Sequence, residues 1–146
     1  MTSLLLLTYA APTLELAKGD ILIDQGRKDG KLYVLDSGVL AVERDGVKIA
    51  TIDQFDSLIG EMSLLLDKPH SATVRAETEA RVRMVDDAML VLERQPMITL
   101  RLATLLCQRL DTTSALLAEA THGVDKEESL IERLRSALMG HGDAKA

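Results

Sequence analysis

The residues best suited to chemistry lie in one stretch, Ile59-Gly60-Glu61-Met62-Ser63-Leu64-Leu65-Leu66-Asp67-Lys68-Pro69-His70-Ser71-Ala72-Thr73-Val74. Glycine at position 60 lets a backbone approach a ligand closely. Glu61 follows at once, with apolar residues after it. A carboxylate fixed on a short apolar helix or loop can accept a hydrogen bond from a sugar hydroxyl. The first N–H groups of such a helix have no intrahelical acceptor and suit an anion. Pro69 fixes the chain ahead of a strand that begins at Ala72, and His70 and Ser71 are expected to point back at the same anion. Two plainer roles stay open here: Glu61 as a surface carboxylate, and His70 as a solvated turn residue.

The elements that must hold this stretch read by their period. From about Leu14 to Asp86 the chain shows short β segments between turn residues. Ile21-Leu22-Ile23 and Leu32-Tyr33-Val34-Leu35 are strands bounded by Lys18-Gly19-Asp20, Gln25-Gly26, Asp29-Gly30 and Ser37-Gly38. Val39–Val42 and Val47–Ala50 flank Asp45-Gly46, a strong hairpin signal because the tight turn needs positive φ. Ala72–Ala76 and Ala80–Val85 alternate with period two, as half-buried strands do. Many short strands at this spacing predict a barrel or sandwich.

From about Asp87 the pattern turns helical. Asp86 and Asp87 read as caps for a helix over 87–93, and Pro96 suits the first position of a second helix that runs to about Ala120. On that helix Leu106, Leu110, Thr113, Leu117 and Ala120 are spaced 4, 3, 4, 3, a coiled-coil-like seam. Self-association through 96–120 is the expectation; packing of the stripe on the β part is the alternative. Cys107 reads as a small packing residue. Gly123 ends the helix, a short last helix follows over 128–139, and 140–146 forms a polar tail. The domain boundary is expected after 122, with the β part ending near 86.

Composition narrows the function. The 146 residues carry 23 acidic and 17 basic side chains, a net charge of −6. That balance disfavours nonspecific attraction to nucleic acid or anionic membrane. Only Tyr9, Tyr33 and Phe55 are aromatic, so a base-stacking platform has little to build on. One cysteine excludes an internal disulfide framework and a Cys-rich zinc site. The Leu4–Leu7 run has no preceding basic residue and is far shorter than the ~20 residues of a spanning helix. These features point to a cytoplasmic protein without membrane contact. There is no nucleophile elbow, no paired His-Glu metal motif and no P-loop, so neither an enzyme nor a bound cofactor is expected.

Taken together, the glycines at 19, 26 and 38, Leu32-Tyr33, and the stretches Ile59–Leu64 and Pro69–Val74 resemble the cyclic-nucleotide-binding domain family, most closely the sensor domain of the bacterial catabolite activators. The resemblance covers about Leu14 to Glu119. It implies an antiparallel β-roll of double-stranded β-helix or jelly-roll type, followed by a long helix and a short last helix. It also implies a regulatory module that binds cAMP or cGMP. By resemblance, the Gly60 and Met62 amides face the phosphate–ribose, Glu61 takes the ribose hydroxyl, and His70, Ser71 and Ala72 lie at the phosphate end. Thr113 and Ser114 fall where such sensors contact the base; as plain helix-surface residues they need no ligand.

The sequence departs from the family in four places. His70 stands where the family has Arg. Histidine lacks the permanent charge and planar fork of guanidinium. Loss of a charge-assisted bond of about 1.5–3 kcal/mol weakens binding roughly ten- to a hundredfold. Phe55 stands where the family usually has Gly, the N-terminal helix has little room before Leu14, and too few residues follow Gly123 for a helix-turn-helix. DNA binding by this chain alone is not expected. A second reading is a degenerate roll that serves as a dimerisation or protein-interaction module, and a pocket filled by Phe55 or a neighbour would favour it. A third is a haem sensor with His70 as ligand.

Overall fold

The structure, a computed structural model, describes residues 3–122 together with Leu134, Arg135 and Leu138. The expected last helix and tail otherwise lie outside the described residues. Tertiary contacts divide the chain into two units, Met1–Leu102 and Ala103–Ala146.

The first unit is the antiparallel β-roll. Among the described residues it has eight strands: β1 (Thr13–Leu16), β2 (Ile21–Ile23), β3 (Leu32–Ser37), β4 (Leu40–Arg44), β5 (Val47–Ile52), β6 (Leu58–Ile59), β7 (Thr73–Ala76) and β8 (Ala80–Val85). They form two four-stranded sheets, ordered β1-β8-β3-β6 and β2-β7-β4-β5. The β3–β4 ribbon runs back against β7–β8: Leu32 pairs with Val85 in one sheet and Leu40 with Ala76 in the other. That double pairing makes a roll, because consecutive strands pass from sheet to sheet while keeping the same partners.

Alternation explains the core. Leu16, Tyr33, Leu35, Ile59 and Val82 from one sheet meet Ile23, Leu40, Val74 and Ala76 from the other, all buried. Tyr33 is the one aromatic residue in this aliphatic cluster. On the opposite face of β3, Leu32 and Val34 are as deeply buried. There a single helical turn, α1 (Leu4–Leu7), packs on β3, with Leu4 1% exposed. Asp56 anchors that turn by accepting hydrogen bonds from Ser3 Oγ at 2.8 Å and from the amides of Leu4 and Leu5 at 3.0 and 2.7 Å. The segment before β1 thus forms one turn of helix, held from 51 to 53 residues downstream by a side chain that local sequence does not connect to it.

Two turns need their residue types. Asp45 and Gly46 both have positive φ, 51° and 78°, as expected for the β4–β5 hairpin. Gly38 has φ +91°, and a Cβ there would stand 2.2 Å from the Glu79 carbonyl oxygen. No other residue fits where the ribbons cross.

The helices α3 (Ala88–Arg94) and α4 (Pro96–His122) follow β8. Asp87 precedes α3 in a left-handed conformation, φ 45°, and its side chain makes no capping hydrogen bond. The expected cap at Asp87 is therefore a corner and not an Asx cap. Pro96 opens α4 as expected. Within the first unit α4 buries Ile98 and Leu102. In the second unit Leu106 and Leu117 are half-buried, Leu110 is 44% exposed, and Thr113 and Ala120 are exposed. Cys107 is exposed, a correction to its reading as a packing residue. Among the described residues no helix is long and apolar enough to cross a membrane.

Candidate functional site

Strand β6 pairs with Tyr33 and Val34 of β3, so Leu58 and Ile59 are buried and the chain must turn sharply as it leaves the sheet. Gly60 makes the turn at φ +93°, with the Lys31 carbonyl oxygen 3.1 Å from where a Cβ would lie. A side chain there is strained by the positive φ and crowded by the Lys31 carbonyl. Helix α2 (Glu61–Leu66) starts at once. Its exit is closed by Ser63, whose Oγ donates to the Lys68 carbonyl and whose own carbonyl accepts the Lys68 amide at 3.1 Å. Asp67, also left-handed at φ 53°, completes the reversal and pairs with Lys28.

The returning chain is zipped to the 24–27 segment. The Gly26 amide donates to the His70 carbonyl and the His70 amide to the Arg27 carbonyl, both at 2.8 Å; the Gln25 amide donates to Thr73 Oγ1 at 3.1 Å. These bonds hold Pro69–Ala72 across from α2. A cavity of about 170 Å³ lies between them, lined by Gly60, Glu61, Met62, Ser63, His70, Ser71 and Ala72 over a floor of Ile23, Ile59 and Val74. Six expected residues therefore meet around one cavity. Thr113 and Ser114 belong to the second unit, exposed on α4, with Thr113 Oγ1 donating to the Arg109 carbonyl at 2.8 Å.

Burial separates the residues by task. Glu61 is only 5% exposed. Ser71 is exposed at the cavity's edge. Met62 lines the cavity and is 61% exposed. Phe55 is 66% exposed and does not line the cavity, so it does not plug the site.

His70 is 8% exposed, which corrects its alternative reading as a solvated turn residue. Its Nε2 lies 3.2 Å from Asp29 Oδ1. Asp29 also accepts the Lys31 amide on Oδ1 at 3.0 Å and the Tyr33 hydroxyl on Oδ2 at 3.3 Å. Burial, and then the neighbouring Asp29 carboxylate, push the Tyr33 phenol well above its ordinary range, so it keeps the proton it donates. Asp29, in contact with His70, and Tyr33 behind it are neighbours of the cavity that sequence reading missed. Asp29 carries a turn signal with Gly30, and nothing local connects it to a histidine 41 residues away.

A profile of the cyclic nucleotide-binding domain matches residues 13–91, more than half of the chain and all of the cavity lining. The chain belongs to the cyclic nucleotide-binding domain family. The type II regulatory subunit of cAMP-dependent protein kinase from Drosophila melanogaster is 38% identical over 68 residues, 47% of this chain and 18% of that protein. In structure the domain is similar to the catabolite activator protein of Thermus thermophilus, with TM-score 0.66 and 25% identity over 80% of this chain and 57% of the other. It is also similar to the N-terminal domain of a transcriptional regulator from Streptomyces coelicolor A3(2), with TM-score 0.56 and 30% identity over 73% of this chain and 81% of that domain. This domain spans less than a fifth of the length of the curated relatives it matches first.

Proposed function

We propose that this chain is a regulatory module that binds a cyclic nucleotide, cAMP or cGMP, between α2 and the Pro69–Ala72 segment. The observation that carries the reading is the gathering of Gly60, Glu61, Met62, His70, Ser71 and Ala72 around one cavity in a member of this family. Glu61 accepts the ribose hydroxyl, the Gly60 and Met62 amides face the ribose–phosphate, and Ser71 donates to the phosphate. A cavity of about 170 Å³ is smaller than the roughly 300–1,000 Å³ that encloses a whole drug-sized ligand. It suits the sugar–phosphate end and leaves the base to be met by Thr113 and Ser114, whose hydroxyls both donate and accept.

Binding is passed on as a population shift. Ligand favours the arrangement in which α3 and the long helix close towards the roll, which changes the seam on 96–120 or a surface for a protein partner. The module works as a homodimer in the cytoplasm, where an exposed thiol such as Cys107 stays reduced. It senses ligand and catalyses nothing.

Calorimetric titration of the whole chain with cAMP and with cGMP tests this. Binding is expected, with Glu61→Gln weakening it roughly ten- to a hundredfold through loss of a charge-assisted bond. No heat and no thermal shift at millimolar ligand would sink the reading. It would favour the degenerate roll, to which the engagement of His70 by Asp29 also lends weight.

A further inference from the structure

Asp29 accepts from three directions: the Lys31 amide, the Tyr33 hydroxyl and His70 Nε2. An ionised carboxylate only accepts, so the bond to His70 requires the hydrogen on Nε2. That assigns the ring. Neutral His70 carries Nε2–H towards Asp29, which leaves Nδ1 with a lone pair on a ring that belongs to the cavity lining. A lone pair facing a phosphate oxygen repels it; Nδ1 becomes a donor only when the ring takes a second proton.

We infer that the Asp29–His70 pair makes phosphate recognition in this cavity proton-coupled, with imidazolium donating through Nδ1 where the family's guanidinium would donate permanently. Asp29 is the positioning residue: it fixes the tautomer and the ring's orientation, as a carboxylate behind a histidine does elsewhere. The inference rests on the cyclic-nucleotide reading and adds to it a condition for binding: one proton accompanies each anionic ligand.

The charged and titratable groups about the ring are few. Asp29 meets Nε2, with Tyr33 of β3 behind it. Glu61 on α2 and Lys68 after α2 line the same cavity. Arg27 and Lys28 are paired with Asp24 and Asp67. Lys31 is paired with Asp86. A ligand anion favours the protonated ring, so affinity rises as pH falls through the histidine range.

Calorimetry of the whole chain with cAMP tests this from about pH 5.5 to about pH 8.5, either side of the ordinary histidine value near 6.5. Buffers of different ionisation enthalpy report proton uptake. Affinity for cAMP should rise by up to about tenfold per pH unit lowered, with uptake approaching one proton. Adenosine, which lacks the phosphate, should bind without the slope. In His70→Arg the slope should vanish and binding tighten. In His70→Gln the slope should vanish with binding weak. In Asp29→Asn the slope should flatten, because the amide can donate to Nε2 and leave Nδ1–H on a neutral ring. Binding of cAMP with a flat profile and no proton uptake overturns the inference and leaves the functional reading standing. A slope that survives intact in His70→Gln assigns the proton elsewhere and overturns it too. No binding of cAMP at any pH removes the functional reading, and the inference with it.

Discussion

The imidazole of His70 meets the carboxylate of Asp29 at 3.2 Å, Nε2 to Oδ1, across a 41-residue separation in sequence. The same stretch of chain is tied twice through backbone, His70 to Arg27 and Gly26 to His70. The histidine therefore belongs to two structures at once: it lines the cavity, and it staples the 24–31 loop to the start of β7. Its ring orientation is set by partners on the loop side before any ligand arrives.

Tyr33 stands behind that pair and gives stability a pH dependence of known sign. Burial raises its phenol above the ordinary value, with Asp29 adding to the effect. The unfolded chain loses this proton near pH 10 and the folded chain at higher pH. The contribution is thus full below pH 10 and is lost as pH rises beyond it. Urea denaturation of wild type and Tyr33→Phe should show the difference between them constant up to about pH 10, with wild type losing ground above it. A difference that stays constant to higher pH contradicts the assignment.

Gly38 and Gly46 separate two reasons for needing glycine. Both have positive φ, 91° and 78°, but only at Gly38 does an added Cβ meet backbone, 2.2 Å from Glu79 O; around Gly46 nothing lies within 4 Å. Gly46→Ala should cost about 1 kcal/mol, the penalty for a left-handed alanine. Gly38→Ala should cost about 3 kcal/mol or more, because overpacking is added to that strain. Denaturation midpoints compare them directly, and equal losses would contradict the steric argument.

Leu110 tests the proposed seam. It is 44% exposed on α4, between half-buried Leu106 and Leu117. Sedimentation should find the wild-type chain dimeric and Leu110→Glu shifted to monomer, since a carboxylate at a seam position must be desolvated to pair. A monomeric wild type, or a dimer that the substitution leaves unmoved, removes the seam.

Much of this fold is legible in the sequence. Period-two apolar runs marked β7 and β8, Asp45-Gly46 marked the hairpin, and Pro96 marked the start of α4, because each signal is local: a side-chain alternation, a φ requirement, a missing N–H. The cavity residues were legible too, because α2 and the segment that faces it are only a few residues apart. Gly60, Glu61, Met62, His70, Ser71 and Ala72 must fall close together once the chain reverses between them. Where local signals failed, the interaction was long-range. Leu4–Leu7 is too short to show a period, and its helical turn depends on Asp56. Asp87 has a capping residue's chemistry but sits at a left-handed corner.

Pattern and spacing alone therefore determined a fold of many short strands with an aliphatic core, since they express backbone geometry over a few residues; the β-roll and the roles at the cavity came from the resemblance that the motifs carry. The tertiary structure decided what His70 is. A histidine in a turn motif has two nitrogens and no stated partner; only the packing of the 24–31 loop brings Asp29 and Tyr33 to one side of the ring. That contact decides which nitrogen holds its hydrogen, because a carboxylate already accepting from an amide and a phenol has only acceptance to offer a third neighbour.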